Sequence, residues 1–146
     1  MLLRTVLLVA ATLVVMVHGK FRVTPYPTES CKHFVPDPEF NKEIAASMAA
    51  SCMKRPKVAA ALSSYDGPEE DRYAEILLTC FAAKSHLIIS TGLMVDYFME
   101  SVRLGVQGTR MESSVVAALS VCEPTLLQGK LIVPFMRCIQ EKCVEE

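Results

Sequence analysis

Tryptophan is absent from these 146 residues, and asparagine occurs once. That single Asn41 is followed by Lys-Glu, so there is no N-glycosylation acceptor. No run of Lys and Arg exceeds two residues, which removes the electrostatic footprint of a nucleic-acid partner. Catalytic and metal signatures are equally scarce. There is no Cys-x2-Cys pair, no His-Glu-x-x-His, no Gly-x-Ser-x-Gly and no calcium-loop pattern. Cys31-x-His33 is the nearest approach to a metal pair, and it lacks further ligands. No enzyme activity, cofactor or metal is expected from this sequence.

Long apolar runs are confined to the start. Arg4 precedes the run 5–17 (TVLLVAATLVVMV), and Gly19 follows it. The run is too short to span a bilayer and has a small residue at its end, so residues 1–19 read as a secretory signal peptide and no membrane insertion is expected. The remaining 20–146 read as one domain with room for a modest core. Losing Arg4 with the leader takes the formal charge from −1 to −2.

What the chain does have is six cysteines, Cys31, Cys52, Cys80, Cys122, Cys138 and Cys143. In a small secreted chain an even set reads as a disulfide framework, with fifteen possible pairings. Cys138 and Cys143 share one helical stretch, about 7.5 Å apart in rise and roughly 140° in direction, so they cannot bond each other. If every thiol is paired, no cysteine nucleophile remains.

Residues 20–37, with Pro25, Pro27 and Pro36, read as an extended arm. "PDPEF" begins a helix, with Asp37 as N-cap and Pro38 at the first position; Phe40, Ile44, Met48 and Cys52 fall four apart as its apolar stripe. Pro56 starts the short apolar segment "KVAAALSSY". Pro68 and the acidic run Glu69-Glu70-Asp71 open a third helix that buries Tyr73, Ile76, Leu77, Cys80 and Phe81. A Ser-Thr-Gly turn leads to a fourth helix over Leu93–Leu104, with Met94, Phe98 and Val102 inward. The fifth has Val115, Ala118, Leu119 and Cys122 at i, i+3, i+4, i+7. The tail is mostly helical, broken at Gly129, with Pro134 in a first turn. No alternating strand pattern appears. The expectation is an all-α, disulfide-stapled bundle of five to six short helices around an apolar core or pocket.

The stretch "ILLTCFAAKSHLIISTGLMVDYFMESV" resembles the third and fourth helices of the insect odorant-binding proteins: a helix with cysteines spaced Cys-x3-Cys, an apolar loop, a Gly-containing turn and an amphipathic helix. Cys52, Cys80, Cys122 and Cys138 fall where that family has its first, third, fourth and sixth cysteines, and the likeness spans residues 38–142. Ile76 and Gly129 stand where the second and fifth would be. Those two bond each other in the family, so their joint loss resembles the minus-C subgroup. The Cys-x3-Cys and Cys-x8-Cys spacings are both missing, and Cys31 and Cys143 lie outside the pattern. The resemblance implies disulfides Cys52–Cys80 and Cys122–Cys138, which leaves Cys31 to Cys143, and it implies that Ile76 and Gly129 lie close together.

The resemblance also implies a secreted carrier that holds an odorant, pheromone, fatty acid or similar lipid in a helical pocket. The residues expected to line it are Met48, Tyr73, Leu77, Phe81, Leu87, Met94, Phe98, Val115, Leu119 and Phe135. The methionines suit an adaptable lining as well as ordinary core filling. His86 reads either as a pH-sensitive residue near a lid or as a cation at a helix C-terminus. The expected partner is a small hydrophobic molecule, with a receptor or a second copy as protein partner. The competing reading is a salivary, seminal or defence protein that acts through its surface on a protein or membrane. The lack of a basic amphipathic face weighs against it.

Overall fold

The computed structural model describes residues 30–63, 65–89, 92–129 and 131–143. The expected signal peptide and the first ten residues of the arm therefore lie outside the described residues. Within them the fold is all-α. A 3-10 turn at Cys31–His33 precedes α1 (Pro38–Cys52) and α2 (Pro56–Leu62). A second 3-10 turn, Glu69–Asp71, leads into α3 (Arg72–Lys84). A minimal antiparallel hairpin, β1 (Ile88–Ile89) and β2 (Gly92–Leu93), separates α3 from α4 (Val95–Val106). The chain closes with α5 (Glu112–Gly129) and α6 (Ile132–Lys142).

The first helix begins as its sequence dictates. Asp37 accepts hydrogen bonds from the backbone N–H groups of Glu39 (2.9 Å) and Phe40 (3.3 Å), and Pro38 takes the position that needs no N–H. Its buried face is rotated one residue from expectation. Asn41, Ala45 and Cys52 are buried, Ile44 and Met48 only partly, and Phe40 is half exposed. A four-residue spacing drifts around a 3.6-residue helix, so Phe40 and Cys52 cannot share one narrow stripe.

The third helix is the centre of the molecule. Every residue from Ala74 to Cys80 is buried. One side contributes Ile76 and Cys80 to a small cluster with Ala45, Cys52 and Val58. The other contributes Ala74, Leu78 and Ala82 to the main cluster, which α4, α5 and α6 complete. A helix buried all round needs apolar side chains all round, which is why "AEILLTC" shows no clean stripe. Tyr73 and Phe81, expected inside, are only partly buried.

The disulfides join Cys31 to Cys143, Cys52 to Cys80 and Cys122 to Cys138, with Cα atoms 6.1, 5.9 and 5.7 Å apart. They tie α1 to α3, α5 to α6, and the first turn to the residue after α6. The expected closeness of Ile76 to Gly129 falls on Gly129, whose surroundings lie outside the described residues. The α3 residue that reaches toward the α5–α6 corner is Glu75, beside Ile76.

Two departures concern local chemistry. Ile88 pairs with Leu93 and Ile89 with Gly92 as a short antiparallel hairpin; two-residue strands are too short to leave an alternating pattern, and Ser90 and Thr91 of the expected turn lie outside the described residues. The fifth helix continues through Pro124. Pro124 and Ser120 both face water, so the Ser120 carbonyl that loses its helical partner can be hydrated.

Candidate functional site

The third helix ends in a geometry that sends the chain back across the core. The His86 N–H donates to the Ala83 carbonyl (3.1 Å) and the Leu87 N–H to the Ala82 carbonyl (2.9 Å). This is a Schellman ending, with His86 in the left-handed region at φ 58°. It turns Leu87 and Ile88 inward, where both are buried in the main cluster. The returning strand is fastened by Met94, whose N–H donates to the Leu87 carbonyl at 2.8 Å. Gly92, at φ 115°, supplies the backbone conformation the turn requires.

This hairpin is the apolar edge of the core. Leu93, Val95 and Met99 are partly exposed while packed against the main cluster, and Met94 is also half buried. The hairpin packs against α2 and α3. Beneath it Phe98 and Phe135 meet edge to face, ring centroids 5.8 Å apart, and neither is exposed.

The ten expected lining residues do not form a single group. Leu87, Phe98, Val115, Leu119 and Phe135 come together in the main cluster. Met48 and Tyr73 pack on the smaller cluster instead. Leu77 is fully buried on α3, and Phe81 and Met94 are partly exposed. The methionines divide in the same way: Met111 and Met136 are buried in the main cluster, whereas Met48 and Met53 flank the other. The division follows from α3, which lies between the two clusters.

The most developed polar cluster was not anticipated. Glu75 is buried on α3, and its two carboxylate oxygens accept the backbone N–H groups of Ile132 and Val133, each at 2.7 Å. Leu131, at the N-cap of α6, has no side chain able to cap; Glu75 caps that helix from another element. One turn earlier, buried Asp71 pairs with Arg137 of α6. Burial pushes the Glu75 carboxyl pKa up; the two N–H bonds oppose this, and the nearby Asp71 charge reinforces it. Tyr65 is raised by burial, then by Asp71 and Glu75, and its hydroxyl donates to the Pro68 carbonyl (2.6 Å). The sequence signal was the i, i+4 pair Asp71 and Glu75, which reads as ordinary helix-start charge until the neighbouring helix is known. Asn41, also buried, donates to the Pro36 carbonyl (2.8 Å), and its Oδ1 has no hydrogen-bond partner among the described residues.

His86 is exposed, two residues before the hairpin. Among the described residues no group of three or more His, Cys, Asp or Glu could hold a metal ion, and no helix is long and apolar enough to cross a membrane. The chain matches no family model, no curated protein and no solved structure.

Proposed function

We propose that this protein is a secreted carrier of a small hydrophobic molecule, used in the manner of the odorant-binding proteins its cysteine pattern resembles. The observation that carries the reading is the hairpin edge. There, partly exposed Leu93, Met94, Val95 and Met99 border an interior of aliphatic, methionine and phenylalanine side chains. A ligand admitted between the hairpin and the core would meet Leu87, Ile88 and Phe98 first. Two-residue strands are among the least costly elements of a fold to displace. Three disulfides support an oxidising, extracellular setting. Binding would be non-covalent, driven by apolar burial at about 25 cal/mol per Å², and the reading requires no catalytic residue or cofactor.

A solvatochromic apolar probe tests it. Saturable binding with Kd near micromolar, about −8 kcal/mol, is expected, with displacement by long-chain alcohols, esters or fatty acids. Met94→Glu should weaken binding at least about tenfold with a smaller loss of stability than a buried substitution, because that side chain is partly exposed. Phe98→Ala should affect both, since the ring is buried. Absence of saturable binding by the delipidated native protein would refute the carrier reading.

A further inference from the structure

The charges of this chain are unevenly placed. Residues 44–65 and 76–95 contain no Asp or Glu, yet they hold Lys54, Arg55, Lys57 and Lys84. The rest of the chain has 11 basic and 16 acidic residues, a formal charge of −5. The fold brings the two acid-free stretches together. They form the later turns of α1, all of α2, the later turns of α3 and the hairpin; α1 and α2 pack against α3, and the hairpin against α2 and α3. The Cys52–Cys80 disulfide joins them, and Ala83, next to Lys84, packs on the small cluster that contains Cys52 and Val58. Lys54, Arg55, Lys57 and Lys84 are all exposed, and none forms an ion pair among the described residues.

We propose that this basic corner binds a sulfated polysaccharide. Three of its cations fall within four residues, on backbone fixed at both ends. Cys52 and Val58 are buried on either side of them. The Arg55 N–H donates to the Cys52 carbonyl, and the Val58 and Ala59 N–H groups donate to the Arg55 carbonyl, each at 3.0 Å. The backbone is therefore ordered before binding, which removes an entropic cost. Arg55 offers a planar fork of donors to two oxygens of a tetrahedral oxyanion, and the lysines act as point charges. A linear polyanion that runs from Lys57 to Lys84 stays on elements without acidic residues. The acidic remainder of the chain repels it and confines contact to this corner. An anionic bilayer fits less well. The exposed neutral residues between 50 and 60 are Ala50, Ser51, Pro56, Ala59 and Ala60, and none is an aromatic or long aliphatic side chain that would enter lipid. The inference shares an extracellular setting with the carrier reading, but not its ligand site.

Isothermal titration of the purified protein, disulfides intact, with a heparin dodecasaccharide tests this. In about 50 mM salt a Kd of roughly 10 µM is expected. Raising salt to about 200 mM should weaken binding at least tenfold, because counterions are released from the polyanion. The double change Lys54→Ala with Arg55→Ala should weaken binding at least about tenfold and lower the salt slope by about two, with an unchanged circular dichroism spectrum. Lys84→Ala should weaken it less. Lys42→Ala, an exposed cation of α1 outside the acid-free stretches, should leave affinity within about twofold of the parent. No binding at low salt, equal losses for the Lys42 and the Lys54–Arg55 variants, equal affinity for desulfated heparin, or binding to phosphatidylserine vesicles without binding to heparin would each overturn the proposal.

Discussion

Glu75 shows how one side chain can tie distant parts of the sequence together. It lies 57 and 58 positions from the two N–H groups it caps. Removing it with Glu75→Ala strands both donors at a buried helix start and should cost about 3 kcal/mol or more, measured by urea unfolding. Glu75→Gln keeps one acceptor and should cost less. The pH dependence has a definite sign. The folded pKa lies above the ordinary 4.5, so the native state holds this proton more tightly than the unfolded chain. The stability contributed by Glu75 is therefore greatest below about 4.5 and declines as pH rises through its folded pKa. Glu75→Gln, which does not titrate, should remove that declining portion of the stability–pH curve. An unchanged curve in the variant would show that the carboxylate is not desolvated in solution.

At the scale of the element, the turn after α3 carries the clearest backbone strain. His86 holds a left-handed conformation that glycine adopts at little cost. His86→Gly should stabilise the fold by about 0.5–1 kcal/mol, the relief of the Cβ clash being offset in part by a more flexible unfolded chain. A loss of stability on thermal unfolding would mean that the imidazole contributes more than the strain costs. The fifth helix illustrates the opposite balance, since a proline inside it is tolerated where the freed carbonyl faces water.

For the whole molecule, the Cys31–Cys143 disulfide is the widest constraint. It closes a loop of 112 residues, against 28 and 16 for the other two. Loop-closure entropy alone gives about 5, 3.5 and 3 kcal/mol respectively, an upper range for what each supplies. The double change Cys31→Ser with Cys143→Ser should lower stability by about 2–4 kcal/mol. It should also raise the urea m-value, because the unfolded chain expands once its ends are released. Equal Tm values for the two proteins would show that the strap does not constrain the unfolded state.

The sequence by itself determined the all-α class, the start of the first helix at Asp37-Pro38, the inward face of the fifth helix and the need for a disulfide framework. These follow from local chemistry: proline and cap preferences, apolar spacing at helical period, and an even cysteine count. The inward positions of Phe98, Val102, Val115 and Leu119 were legible for the same reason. Tertiary structure decided everything that depends on what lies across the core. It separated Met48 and Tyr73 from Phe98 and Phe135, because α3 stands between two clusters and is apolar on both sides. It moved the buried stripe of α1 from Phe40 to Asn41 and Ala45, and it made a hairpin of a turn too short to show a strand pattern. It also converted Asp71 and Glu75 from helix-start charges into the anchor of α6, since a carboxylate becomes a cap only when another helix begins within hydrogen-bond reach.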